Sequence, residues 1–258
     1  MSVFCIVTKL RKSCHIENNL YICIGFYGRP DLHTTIMTKL IFATGNRGKL
    51  REAQEILGEG FALVTPADMG LEEEIPETGT TLRANSLQKA EYIRDHIGAD
   101  CFADDTGLEV DILGGQPGVM TARYGGPEKK PSANMDRLLA DMEQRETEAS
   151  MARALGMTMK NAARKARFRT VVTLIMDGKI RFFDGTLEGR IARSRVGDGG
   201  FGYDPVFIPD EIPGPDGRLC PNTDNLTLAQ LGEDVKNAIS HRGKALRAMA
   251  AFLHEATD

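Results

Sequence analysis

Three carboxylates stand near the ends of predicted strands or loops: Glu77 in EIPETG, and the adjacent Asp104 and Asp105 in CFADDTG. Neighbouring aspartates raise each other's pKa, and directly after the apolar Cys101, Phe102 and Ala103 they are costly in a core unless cations sit against them. A magnesium ion would relieve that cost. It accepts a few hard oxygen ligands and completes its octahedron with water and phosphate oxygens. The alternative is an aspartate-rich turn that uses its side chains as caps.

Other residues have the types that hold anions and rings. Thr44, Gly45, Asn46, Arg47, Gly48 and Lys49 (TGNRGK) close a strand and open a helix, where backbone N–H groups and the positive dipole end favour an anion. The spacing is not that of a Walker A loop, and an Asn N-cap on a glycine turn accounts for the same residues. Asn85 and Lys89 stand four apart on one helix, so both reach the same face. In GDGGFGYDPVF, glycines bring backbone close to a ligand, Phe201 can stack on a base, and Asp204 can accept from ring N–H groups. KNAISHRGKAL gathers Lys236, Ser240, His241 and Arg242 at a helix junction.

The elements that must position these groups follow from patterning. TKLIFAT reads as a strand, LREAQEIL as a helix stopped at Gly58, FALV as a short strand, and TLRANSLQKAEYIRDHI as a helix capped at Thr80 or Thr81 and ended at Gly98. CFADDTGLEVDIL is strand material interrupted by a polar turn. A helix is expected near Ser132–Arg145, followed by an Ala-, Met- and Arg-rich arm over Glu146–Lys165. RFRTVVTLIM, the turn DGK and IRFFDG form a hairpin, then comes a further strand, TLEGRIA. The chain turns helical again from Leu226, with a break at SHRG. The class is mixed α/β, with helices flanking a long sheet.

At 258 residues with 41% hydrophobic content, one globular domain is expected. Residues 1–36 lack a clean period, and Met37 reads as a plausible start. The upstream stretch is then a dispensable extension or an edge element, and residues 37–258 are the domain. A net charge of −4 gives no global attraction to nucleic acid or to an anionic membrane. Five cysteines, an odd number without a C-x-x-C pair, argue against a disulfide framework or structural zinc and fit a reducing cytoplasm. No apolar run is long enough to span a membrane.

Taken in order, TGNRGK, the Glu of ETG, N-x-x-x-K, ADDTGLEVDxLxGxPGVxxARYxG, GDGGFGYDPVF and AISHRG resemble the inosine/xanthosine triphosphate pyrophosphatase family, from Met37 to the C-terminus. The resemblance implies a two-lobed α/β fold with a nucleotide cleft between the lobes, and a homodimer. It also implies Mg²⁺-dependent cleavage of non-standard purine triphosphates such as ITP, dITP and XTP to the monophosphate and pyrophosphate. By motif, Asp105 corresponds to the proton acceptor and also counts among the metal residues, while Glu77 and Asp104 sit at or beside the metal ligands. Thr44 to Lys49, Asn85, Lys89 and Thr106 fall on the triphosphate side. Phe201, Gly202, Tyr203, Asp204, Lys236, His241 and Arg242 fall on the base side.

The same resemblance implies how the base is read. Hypoxanthine and xanthine present an oxygen at C6 where adenine presents an amino group, so donors from Lys236, His241 or Arg242 would favour the former. Residues 1–36, the Glu146–Lys165 arm and the long link IPDEIPGPDGRLCPNTDN depart from the family pattern. Two alternatives are a Maf-type pyrophosphatase acting on other nucleotides and a nucleotide sensor without turnover.

Overall fold

The apolar run before TGNRGK becomes strand β2 (Ile36–Phe42), which feeds helix α1 (Arg47–Leu57) and returns through a short parallel strand, β3 (Phe61–Val64). The structure, a computed structural model, describes residues 20–22, 36–157 and 164–255. Helix α2 (Leu82–Ile97) starts at Thr81, whose hydroxyl caps the Ala84 N–H, and ends at Gly98 in the left-handed conformation. Strand β4 (Cys101–Val110) then enters beside β2 in parallel. The short β5 (Pro117–Gly118) pairs with β4, and α3 (Pro131–Ala154) follows.

The long antiparallel pair β6 (Lys165–Met176) and β7 (Lys179–Ile191) and the short β8 (Phe207–Pro209) complete the sheet. Its order is β1-β2-β4-β6-β7-β8, where β1 is Leu20–Ile22, with β3 added on β2 and β5 on β4. Helices α4 (Glu233–Ile239) and α5 (His241–Glu255) close the chain. The expected mixed α/β architecture, a long mixed sheet flanked by helices, is what forms.

Alternation along the strands sorts the core. Leu40, Phe42, Phe102, Val172 and Leu174 face α1 and α5, against Ala53, Leu57, Leu246, Met249 and Leu253. Ile41, Ala43, Cys101, Ala103 and Ile175 face the opposite way, against Ala90 and Ile93 of α2. Further along the sheet, Leu108, Phe168 and Leu187 pack with Leu138, Met142, Phe207 and Ile239.

Three local expectations are corrected. β4 is one continuous ten-residue strand with no polar turn in it, Asp104 meeting Lys49 of α1 and Arg242 of α5, and Asp105 meeting Lys89 of α2. IRFFDG and TLEGRIA are one thirteen-residue strand, β7. Gly185, which looked like a break, lies within it because the backbone carbonyl of His241 occupies the space a Cβ would need. Helix α3 runs past Arg145 to Ala154, carrying the first part of the expected arm, while residues 158–163 lie outside the described residues.

The region before Met37 contributes β1, which pairs antiparallel with the start of β2; the rest of residues 1–35 lies outside the described residues. The long link after GYDPVF folds into a small hairpin of β9 (Glu211–Pro213) and β10 (Leu219–Pro221). Among the described residues, Cys101 is buried and Cys220 exposed, both as free thiols, and no helix is long and apolar enough to cross a membrane.

Candidate active site

Because successive strand residues point to opposite faces, β4 sends Asp104 toward α1 and α5 and Asp105 toward α2. The Asp104 carboxylate, 1% exposed, accepts from Lys49 Nζ at 3.0 and 2.9 Å on its two oxygens and from Arg242 Nε at 3.1 Å. Arg242 Nη1 also donates to Glu52 at 3.2 Å. Burial pushes the Asp104 carboxyl up, but Lys49, Arg242 and Lys89 together overcome it and hold the group well below the usual carboxylate range.

On the other face, Asn85 Nδ2 donates to Asp105 Oδ2 at 3.2 Å, and Lys89 Nζ lies 3.5 Å from Asp105 Oδ1 and 2.5 Å from Glu77 Oε1. Here burial wins. It raises the Asp105 pKa against the pull of Lys89 and Asn85, with Glu77 and Asp104 adding to the rise. The loop carrying Glu77 is pinned to α2, since Asn85 Oδ1 accepts from Gly79 N at 2.7 Å and Gln88 Oε1 from Thr78 N at 2.9 Å.

The two aspartates therefore do not share one site. Their environments drive their proton affinities apart, Asp104 downward and Asp105 upward. As for magnesium, Glu77 and Asp105 converge beside Lys89 and offer the small set of hard oxygens the ion accepts. Asp104, expected with Glu77 among the ligands, has its carboxylate engaged by Lys49 and Arg242 on the far face of the strand. Among the described residues no cluster of three or more His, Cys, Asp and Glu gathers.

On the triphosphate side, Asn46 acts as the N-cap of α1, its Oδ1 accepting from Gly48 N at 2.8 Å and Lys49 N at 3.2 Å. Asn46 N in turn donates to Thr44 Oγ1 at 3.1 Å. Two of the amides expected to face an anion are thus capped within the turn, and Lys49 supplies the charge. Gly45, Arg47 and Gly48 are exposed. Thr106 Oγ1 shares a hydrogen bond with Thr170 Oγ1 at 2.7 Å. A cavity of about 800 Å³ lined by Met37, Leu50, Gln54 and Leu63 lies along α1 and takes only Arg47 from these residues.

On the base side, Phe201 is 80% exposed, at the tip of a loop whose Gly200 and Gly202 take positive φ. Asp204 braces that loop: its Oδ2 accepts from Phe201 N at 3.1 Å and pairs with Lys236 Nζ at 3.5 Å. Burial raises the Asp204 pKa. The Tyr203 ring is buried, and its hydroxyl donates to the Thr121 carbonyl at 2.9 Å. Tyr203 therefore anchors the loop.

His241 and Arg242, expected together on the base, part company. Arg242 joins Lys49 at Asp104, so its guanidinium lies with a residue expected on the triphosphate side. His241 stacks on Phe168 with ring centroids 5.1 Å apart, and its Nδ1 is buried without a hydrogen-bond partner among the described residues. Burial, then Arg242, pushes its pKa down to about 3, so near neutrality it is a neutral imidazole. Sequence reasoning passed over Glu52, Gln88 and Thr121. Glu52 had a signal, since it lies three residues after Lys49 on α1 and shares its face.

The sequence pattern of the Ham1 family matches residues 40–252. The dITP/XTP pyrophosphatase of Porphyromonas gingivalis is 43% identical over 217 residues, covering 84% of this chain and 98% of that protein. That of Flavobacterium johnsoniae is 40% identical over 215 residues, covering 83% and 97%. Among solved structures, a HAM1 protein from Coxiella burnetii superposes with a TM-score of 0.71 at 30% identity, covering 85% of this chain and all of that one. The nucleoside-triphosphatase / dITP/XTP pyrophosphatase of Mycobacterium abscessus superposes with a TM-score of 0.63 at 35% identity, covering 84% and 99%.

Proposed function

The chain belongs to the Ham1 family, and on that premise we propose that it hydrolyses non-canonical purine nucleoside triphosphates, ITP, dITP and XTP, to the monophosphate and pyrophosphate, with Mg²⁺ as cofactor. The observation that carries this reading is that Asp104, closed between Lys49 and Arg242, and Asp105, set beside Asn85, Lys89 and Glu77, occupy opposite faces of β4. Cleavage between the α- and β-phosphates needs a water in line with the leaving pyrophosphate and cations against the spreading charge.

Asp105, with its raised proton affinity and an oxygen fixed by Asn85, receives the proton of that water. Lys89 bridges Asp105 and Glu77 and brings a positive charge to the phosphates. Asp104 keeps Lys49 and Arg242 in register without presenting a negative charge to the substrate. Glu77 and Asp105 would hold a magnesium ion, which when bound would supply Lewis-acid polarisation.

The nucleotide lies in a cleft between two lobes, with its triphosphate along α1 and α2 and its base at the glycine loop. Phe201 stacks on the purine, and Asp204, Lys236 and neutral His241 read its edge. A homodimer working in the cytoplasm completes the reading.

The test is pyrophosphate release from dITP, ITP, XTP, ATP and pyrimidine triphosphates, with Mg²⁺ and with chelator. Release from the deaminated purines at least tenfold above ATP, lost with chelator, is expected, since a site built to hydrogen-bond one substituent rejects its absence strongly. Nucleotide binding without turnover, or preference for pyrimidines, would sink the proposal in favour of a sensor or a Maf-type enzyme.

A further inference from the structure

We infer that Thr121 is a positioning residue that couples the strand bearing Asp105 to the loop bearing Phe201 and Asp204, a role that rests on the reading of those residues as catalytic and base-binding. Thr121 Oγ1 accepts from Leu108 N, three residues beyond Asp105 on β4, at 2.8 Å and donates to Gly118 O at 2.6 Å. Its carbonyl accepts from the Tyr203 hydroxyl at 2.9 Å. One residue thus touches β4 through its side chain and the glycine loop through its backbone.

The contact is close by construction. Gly118 approaches β4 so tightly that a Cβ on Gly107 would come within 2.6 Å of the Gly118 carbonyl. The segment after Thr121 is fastened separately. Asn134, buried on α3, accepts from Gly125 N at 2.6 Å and donates to Ala122 O at 3.0 Å. Tyr203 is 4% exposed and sits one residue from Asp204 and two from Phe201, so movement of its hydroxyl moves the stacking and acceptor groups together. The distance between the phosphate-side acceptor and the base platform is therefore set by a short bonded path through Thr121, in addition to the packing beneath it.

The experiment compares Thr121→Val, Thr121→Ser and Tyr203→Phe with the wild-type full chain, first by amide hydrogen exchange without nucleotide and then by kinetics with dITP and Mg²⁺. In Thr121→Val, exchange should quicken by about tenfold at Leu108 and also in the 199–204 loop, because the tie that holds both is cut. KM for dITP should rise about tenfold while kcat falls less than about threefold, since alignment of the base is lost and the proton acceptor is intact. Thr121→Ser keeps the hydroxyl and should restore both readouts. Tyr203→Phe cuts the same path at its other end and should loosen the loop and raise KM; if the valine variant does not fold, loop exchange and KM unchanged from wild type in Tyr203→Phe overturn the coupling.

Faster exchange at Leu108 alone, with the loop and KM unchanged, overturns the coupling and leaves Thr121 a local brace. A wild-type protein that releases no pyrophosphate from dITP removes the proposed activity, whereas the exchange data still decide the coupling.

Discussion

Arg242 Nε lies 3.1 Å from the Asp104 carboxylate across 138 residues of sequence, tying the start of α5 to the middle of β4. Lys49 closes on the same carboxylate from α1, so three elements meet at one group that is 1% exposed. Removing one partner of a buried ion network leaves the others desolvated and uncompensated, which costs more than the pair itself contributes. Asp104→Asn should therefore lower unfolding free energy by about 3–5 kcal/mol, read as a shift of the urea midpoint. A loss under about 1 kcal/mol would mean that Lys49 and Arg242 find water or other partners, within the usual range for exposed pairs.

Asp105, one residue on, predicts a different phenotype. Asp105→Asn keeps the shape and the hydrogen bond to Asn85 but loses the proposed proton acceptor and one negative oxygen beside Glu77. Turnover of dITP should fall by a factor on the order of 10³ or more, general-base catalysis alone accounting for about 10²–10⁴. The nucleotide should still bind, because Lys49, Lys89 and the base loop are untouched. Wild-type-like turnover by a folded Asp105→Asn protein would take Asp105 out of the reaction.

The contrast between these neighbours marks where the sequence was readable. Strand β4 and its apolar start were plain, and so was the need for cations against two aspartates. The supply of protein cations to one of them was not, because Lys49 and Arg242 reach Asp104 from 55 and 138 residues away. Local patterns likewise placed the α1 cap at Asn46 and the α2 stop at Gly98. They misjudged Gly185, whose missing side chain serves a contact with His241 that only the tertiary fold creates. Arg242 and His241 sit side by side at a helix start, where the first residues splay in different directions, so sequence adjacency could not say that one turns to Asp104 and the other to Phe168.

Phe201 offers a test free of stability effects. At 80% exposure its ring holds nothing in the fold, so Phe201→Ala should leave unfolding free energy within about 0.5 kcal/mol of wild type. Stacking on a base is worth on the order of 1–3 kcal/mol, and KM should rise accordingly, by about tenfold or more, for good and poor purine substrates alike. A KM that moves for dITP alone would show that Phe201 reads substituents and does not simply stack.

His241 predicts a signature in acid. Its folded pKa, pushed down to about 3 by burial and by Arg242, lies below the ordinary 6.5, so between those values the unfolded chain binds a proton that the folded chain refuses. Uptake by the unfolded state favours unfolding. The stability linked to His241 is thus fully present above about pH 6.5 and is lost as pH falls toward 3, by up to about 1.4 kcal/mol per pH unit. Arg242, Lys49 and Lys244 face the ring with positive charge and Asp104 alone with negative, so the surroundings offer no net support for an imidazolium. Asp105 and Asp204 have raised pKa values and act in the opposite sense, gaining protons first in the folded state, so the raw pH curve mixes these contributions. Comparison with His241→Phe separates them, since phenylalanine keeps the stack on Phe168 and removes the titration. The unfolding free energy of wild type minus that of the variant, measured by urea titration from pH 8 to pH 4.5, should be flat above neutrality and decline below about pH 6.5. A difference that stays constant throughout would mean that the folded ring takes up its proton as readily as the unfolded one, and the neutral imidazole assigned to the base side would have to be given up.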